Sequence, residues 1–148
     1  MQPSDNLVHP KGCPVVISTP SSARVRIVGR TNADFHQRVT VKEVGREEYI
    51  FEGSGENKAM TLKGGNVESV DLGPLEADDG KFRTWTFNFQ NSSSGAEDSF
   101  TASKVLRPVY HAVHDAEYKV QAMEWEISSE DNIDDDYNDA VIRLVADL

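Results

Sequence analysis

One cysteine, Cys13, stands in the 148 residues, so no internal disulfide framework holds this chain together. A lone thiol is compatible with a reducing compartment without fixing one. No apolar run is long enough to span a bilayer, and no basic amphipathic stretch offers a helix to a membrane surface. Basic charge is scarce: 15 Lys and Arg against 25 Asp and Glu give a formal net charge of -10, with no basic patch, which argues against nucleic acid as a partner. Residues 1–12 carry neither a positive n-region nor an apolar h-region, so the expectation is a cytoplasmic protein or one exported by a non-classical route. A helical repeat is missing as well, since no window sustains apolar residues at spacings of three and four.

What remains is the composition of an ordinary soluble domain, 38% hydrophobic and 27% charged, in a chain long enough to bury a sizeable core. Residues 1–13 are polar and contain proline, which reads as an N-terminal arm ahead of one domain over 14–148. Within that domain, short runs rich in β-branched residues recur between Pro, Gly, Ser and Asn: 15–19, 24–28, 38–44, 48–52, 59–62 and 68–72. The clearest strand is 81–90, where Arg83, Trp85, Phe87 and Phe89 alternate with Phe82, Thr84, Thr86 and Asn88, so one aromatic face is expected in the core. Runs at 99–106, 117–127 and 140–145 complete the set, the second changing phase near Ala122 and Met123 as a bulge would make it. The expected fold is all-β, an antiparallel β-sandwich of about nine strands. Residues 91–98, with a serine run and Gly95, read as a hairpin loop that carries a glycosylation sequon at Asn91.

The chemistry concentrates in Glu130-Asp131-Asn132-Ile133-Asp134-Asp135-Asp136-Tyr137-Asn138-Asp139, which packs six acidic groups and two carboxamides into ten residues without a Lys, Arg or His. Carboxylates crowded in this way repel one another unless protons, basic partners or a hard cation compensate them. Hard oxygen ligands select calcium or magnesium over zinc or copper, and a crowded, flexible set suits the larger ion. The twelve-residue helix-flanked calcium loop does not fit: with Asp134, Asp136 and Asn138 in its first, third and fifth positions, its glycine and glutamate would fall on Asp139 and Val145. The plain alternative is an acidic, solvated loop capping a strand.

Other chemistry-bearing groups are weaker. His111, His114 and Asp115 have a spacing that a zinc site could use, but no third ligand lies nearby, and an exposed turn is the simpler reading. Gly53-Ser54-Gly55 lacks the flanking pattern of a nucleophile elbow, and no Ser, His and Asp order suggests a triad. Cys13, beside Pro14, reads as a small packed or surface residue, and Trp85 and Trp125 as core positions within alternating strands. A glycoside hydrolase would need paired carboxylates across a cleft, one with a raised pKa, and a continuous acidic loop suits ion binding better.

The residue order Glu130-Asp131, then Asp134-Asp135-Asp136-Tyr137-Asn138-Asp139-Ala140-Val141, resembles the signature of the bacterial calcium-dependent fucose- and mannose-binding lectins. Thr31-Asn32-Ala33-Asp34-Phe35-His36-Gln37-Arg38-Val39-Thr40-Val41 is similar to that family's early loop and strand, Val16-Ile17-Ser18-Thr19-Pro20 to its first strand, and Asp79-Gly80-Lys81 to the turn entering its central strand. The resemblance implies a small β-sandwich that binds two adjacent calcium ions and one monosaccharide. Carried over position by position, it makes Glu130, Asp134, Asp136 and Asp139 the main carboxylates, with Asp136 and Asp139 bridging the ions, while Asn138 and Asn32 add neutral oxygens on the sugar side. Four carboxylates match the four positive charges of two calcium ions, and each ion accepts about six to eight oxygens, which leaves positions for sugar hydroxyls.

By the same resemblance Asp131, Asp134, Asp136, Asn138 and Asp139 face the sugar together with Asn32, and the specificity loop is Ala33-Asp34-Phe35. Ala33, lacking a hydroxyl, resembles the mannose-preferring members. The family's chains end in a glycine whose carboxylate reaches a neighbouring subunit's calcium; this chain ends Val145-Ala146-Asp147-Leu148, so Leu148 is the candidate C-terminal carboxylate, and Arg143 places a charge where the family has an apolar residue. Residues 1–13 and part of 97–116 are extra. The expectation is a non-enzymatic, calcium-dependent lectin taking terminal mannose or fucose, assembled as a homodimer or higher oligomer so that weak sites act multivalently. The competing expectation is a calcium-stabilised structural or adhesion domain that binds no sugar.

Overall fold

The structure is a computed structural model that describes residues 7–8, 12–64, 66–75, 81–130 and 139–148. Among these residues it forms eleven antiparallel strands: β1 (Val15–Pro20), β2 (Arg24–Glu43), β3 (Glu48–Ala59), β4 (Thr61–Leu62), β5 (Ser69–Leu72), β6 (Phe82–Ser92), β7 (Thr101–Ala102), β8 (Lys104–Val105), β9 (Val109–His114), β10 (Val120–Glu130) and β11 (Ala140–Asp147). No helix among the described residues is long and apolar enough to cross a membrane.

The all-β antiparallel architecture agrees with the alternation read from the sequence, and one strand organises it. The runs at 24–28 and 38–44, expected as separate strands, are the two halves of β2, a single strand of 20 residues. Its first half lies between β5 and β11, with Val25 opposite Leu72 and Ala146. The second half lies between β6 and β3, with Val39 opposite Phe89 and Phe51. Between the halves the ladder to β3 slips twice, from Thr31 to Ala33 and from Ala33 to Gln37. A strand that bends at irregular pairing can pass from one layer of a sandwich to the other. The sheet therefore curls on itself about residues 32–36.

Side chains of both halves meet in one core. Val25 and Ile27, then Val39 and Val41, pack with Phe51, Trp85, Phe87, Ile127, Ile142 and Leu144. The expected aromatic face of β6 is buried, Trp85 fully, with its indole N–H donating to Thr19 Oγ1 at 3.1 Å. Arg83, on the same face, closes the end of this row: its guanidinium donates two bonds of 2.9 and 2.8 Å to the carboxylate of Glu43, and both residues are buried. A buried bidentate pair satisfies both charges at once, which an arginine in an apolar row requires. Trp125 is half-buried against the core and tilts toward Tyr110, ring centroids 5.1 Å apart.

Several expectations need correction. β9 was not foreseen; His111 and His114 lie on it rather than in a turn, and residues three apart on a strand point to opposite faces, so the two imidazoles do not converge on one metal. Residues 117–119 belong to the turn before β10, where Tyr118 adopts a φ of 64°, and the bulge expected near Ala122 falls between Val120 and Ala122. The run at 99–106 is split into β7 and β8 at Ser103. Asn91 is not in a loop: it is buried in β6, opposite Gln37 and Thr101, and its amide donates to Ser103 Oγ at 2.7 Å. The sequon is thus closed to modification in the folded chain. Of the arm, Leu7 bridges Leu106, and Val8 donates its N–H to Val105 O at 2.9 Å.

Candidate functional site

Three strands bring the sequence-predicted residues together at the corner where β2 changes layer. β10 arrives through Ser128, Ser129 and Glu130, and β11 departs from Ala140, which is paired with Ser129 on one side and Thr31 of β2 on the other. Beyond the last ladder rung the backbone bonds continue: Asp139 N–H donates to Ser129 O at 3.1 Å, and Asn32 N–H donates to Asp139 O at 3.1 Å. Glu130, Asp139 and Asn32 are thereby fixed side by side by main-chain geometry, independent of any side-chain contact. Asp131, Asp134, Asp136 and Asn138 lie outside the described residues.

The two carboxylates are withdrawn from water, Glu130 at 0% and Asp139 at 3% relative exposure. Burying a carboxylate costs several kcal/mol unless opposite charge or hydrogen bonds compensate it. All three side chains offer hard oxygens and none offers sulfur or imidazole, so the donor set fits calcium or magnesium rather than zinc or copper. Among the described residues no group of three or more His, Cys, Asp or Glu is gathered to hold a metal; they contain two of the expected carboxylates, Glu130 and Asp139.

The β2 bulge shapes the rest. Ala33 is buried opposite Gly55 of β3, Asp34 is exposed, and Phe35 is half-buried. Gln37, buried one step further on, donates its amide to Phe35 O at 3.2 Å and so pins the loop from inside. Sequence reasoning missed the residues that hold Asn32. Asn57 adopts a φ of 51° and donates its backbone N–H to Asn32 Oδ1 at 3.0 Å, while its own side chain accepts from Arg30 Nη2. Thr31 Oγ1 donates to Gly55 O at 3.0 Å. The signal was present in Gly55-Glu56-Asn57, since glycine and asparagine are the residues that tolerate left-handed backbone, but nothing local says which strand that irregular stretch of β3 will clasp. Leu148 stands apart: its N–H donates to Gln121 O at 2.9 Å, at the end of β11 opposite Ala140. Eight strand residues at about 3.3 Å each separate it from its own Asp139, so its carboxylate does not reach the site of its own chain.

Comparison with known proteins agrees with this geometry. A search of curated proteins finds no match. Among solved structures, the chain is similar to a high-affinity mannose-binding lectin of Ralstonia solanacearum, with 22% identity and a TM-score of 0.57 over 90% of this chain and 96% of that one. A Chromobacterium violaceum lectin in complex with alpha-methyl-fucoside matches with 19% identity and a TM-score of 0.55, covering 93% and 97% of the two chains. The C-terminal domain of a Burkholderia cenocepacia lectin matches with 19% identity and a TM-score of 0.57, covering 91% and 97%. At these identities the likeness establishes a shared fold. The model of the fucose-binding lectin II (PA-IIL) family matches residues 17–147, which span both strand layers and the whole acidic run. The chain therefore belongs to the fucose-binding lectin II family, non-catalytic calcium-dependent lectins that recognise fucose- and mannose-type sugars.

Proposed function

We propose that this chain holds two adjacent calcium ions through Glu130, Asp134, Asp136, Asn138, Asp139 and Asn32, and binds one mannose- or fucose-type monosaccharide over them. The observation that carries this reading is the burial of Glu130 and Asp139 beside Asn32, on the two strand ends that bracket the acidic run. When bound, the ions supply open coordination positions for vicinal sugar hydroxyls, in place of a deep apolar pocket. The chain's own residues do the rest. Glu130 and Asp139 present negative charge from a rigid backbone, Asn32 is oriented by the Asn57 N–H, and Asp131 is the acceptor for a ligated hydroxyl.

Ala33, Asp34 and Phe35 set the choice of sugar. Ala33 brings no hydroxyl to the site, which supports mannose over fucose, and exposed Asp34 offers an acceptor at the rim. The relatives named for mannose binding and bound to alpha-methyl-fucoside bracket that choice. Calorimetric titration with methyl mannoside and methyl fucoside, in saturating calcium and again with chelator, tests the reading. Heat is expected with calcium and none with chelator, with mannoside the tighter ligand. Absence of heat from both sugars in saturating calcium would leave a calcium-stabilised structural domain instead. Asp136→Ala should abolish ion and sugar binding together, and unchanged calcium affinity in that variant refutes the bridging assignment.

A further inference from the structure

We infer that Gln37, a buried residue that no sugar touches, sets the preference between sugars by holding the carbonyl of Phe35. The inference rests on the reading that Ala33, Asp34 and Phe35 face the sugar, and it places the control of that loop in a residue outside it. β2 carries Asp34, Phe35 and His36 across a gap that β3 crosses with Ser54 alone, since Ala33 is opposite Gly55 and Gln37 opposite Gly53. On the other side the β6 ladder begins at His36, opposite Ser92, and the β11 ladder ends at Thr31. Asp34 and Phe35 therefore have no rung in any of the three ladders. A segment without rungs keeps one conformation only through other contacts. One contact is outward: an added Cβ on Gly95 would lie 2.9 Å from His36 Nε2, so the imidazole rests against residues 93–99. The other is inward, the 3.2 Å bond from Gln37 Nε2 to Phe35 O.

Packing alone does not account for a glutamine at this place. By strand alternation Gln37 continues the inward row of Val41 and Val39, and like them it is withdrawn from water, at 1% relative exposure. Such a row calls for apolar side chains. Buried amides are normally bonded at both ends, but Gln37 Oε1 is buried and meets no donor among the described residues. Asn91, directly opposite on β6, turns its own amide to Ser103 Oγ at 2.7 Å. A carbonyl can only accept, so the end of Gln37 that faces Phe35 O is the nitrogen. The bond that explains the residue is thus the one to the rungless loop. How far Ala33 and Phe35 stand from a sugar follows from the set of that loop, so Gln37 acts on selectivity as a positioning residue, without contact to ligand or ion. Methionine matches glutamine in length and needs no partner, so the bond can be removed without opening a cavity.

Calorimetry of the wild type and Gln37→Met with methyl mannoside and methyl fucoside in saturating calcium, alongside calcium titration and urea unfolding of both, tests the inference. The variant should keep the wild-type calcium affinity and urea midpoint. It should bind the wild type's tighter glycoside about three- to tenfold more weakly, the effect of one hydrogen bond, and bring the two glycosides closer in affinity. Unchanged affinities for both glycosides overturn the inference. So does a calcium affinity that falls in step with them, which would make Gln37 a support of the whole corner. The wild type supplies a second measurement that needs no variant to fold. Gln37 is one of four glutamines, so with 15N-labelled glutamine its side-chain amide can be followed directly, and it should shift on adding either glycoside, by different amounts for the two. A Gln37 amide that stays in place while sugar binds overturns the inference alone; a wild type that binds neither glycoside overturns the sugar reading and the inference with it.

Discussion

Glu130 and Asp139 are buried carboxylates, and their burial makes their role measurable. Each is a carboxylate almost without solvent, held there by strand bonds rather than by choice of rotamer. Glu130→Gln keeps the shape and removes the charge. Calcium affinity should fall at least tenfold, about 1.4 kcal/mol. Calcium titration measures the effect, and an affinity within error of the wild type would remove Glu130 from the ligand set. At this scale the sequence was most legible where spacing is local. The acidic run gathers its candidate ligands within ten residues, whereas Asn57, which orients Asn32 from 25 positions away, carries no mark of that partnership in the chain.

Among the elements, β2 does most to build the site, and its continuity was not legible. Asn32 and Asp34 are poor strand formers, and Gly29, Thr31 and Gln37 thin out the apolar face, so the segment reads as a loop between strands. It is instead a bulged stretch of strand, kept in extended form by β3 on one side and by Asp139 on the other. β9 was missed for the opposite reason: an edge strand exposes both faces, so its sequence shows no buried period. β6 was plain because one face is wholly buried. Packing around β2 is tight at Gly29, where an added Cβ would lie 2.7 Å from Ile142 Cδ1 and 2.9 Å from Met60 Sδ. Gly29→Ala should therefore cost about 1–3 kcal/mol through overpacking, read as a lower urea midpoint with unchanged slope. A midpoint within error of the wild type would mean that Met60 yields without cost.

For the molecule as a whole, calcium acts as a stability reagent as much as a ligand. A ligand that binds only the folded state adds about 2.7 kcal/mol at a hundredfold excess over its Kd, and two ions would also reduce the formal charge from -10 to -6. Melting should shift upward with calcium and return with chelator, while magnesium, which prefers stricter octahedral geometry, should shift it less. Equal shifts from the two ions would argue for general charge screening. The crossing of β2 between layers has one more consequence, in time rather than space. Thr31 finds its partner only when Ala140 has been made, and Asn32 is anchored by Asp139, so an early segment waits for nearly the last strand. Such long-range closure is slow to form. A nascent chain still holding β11 in the ribosome tunnel has every residue proposed to face the sugar already synthesised and no site in which to use them.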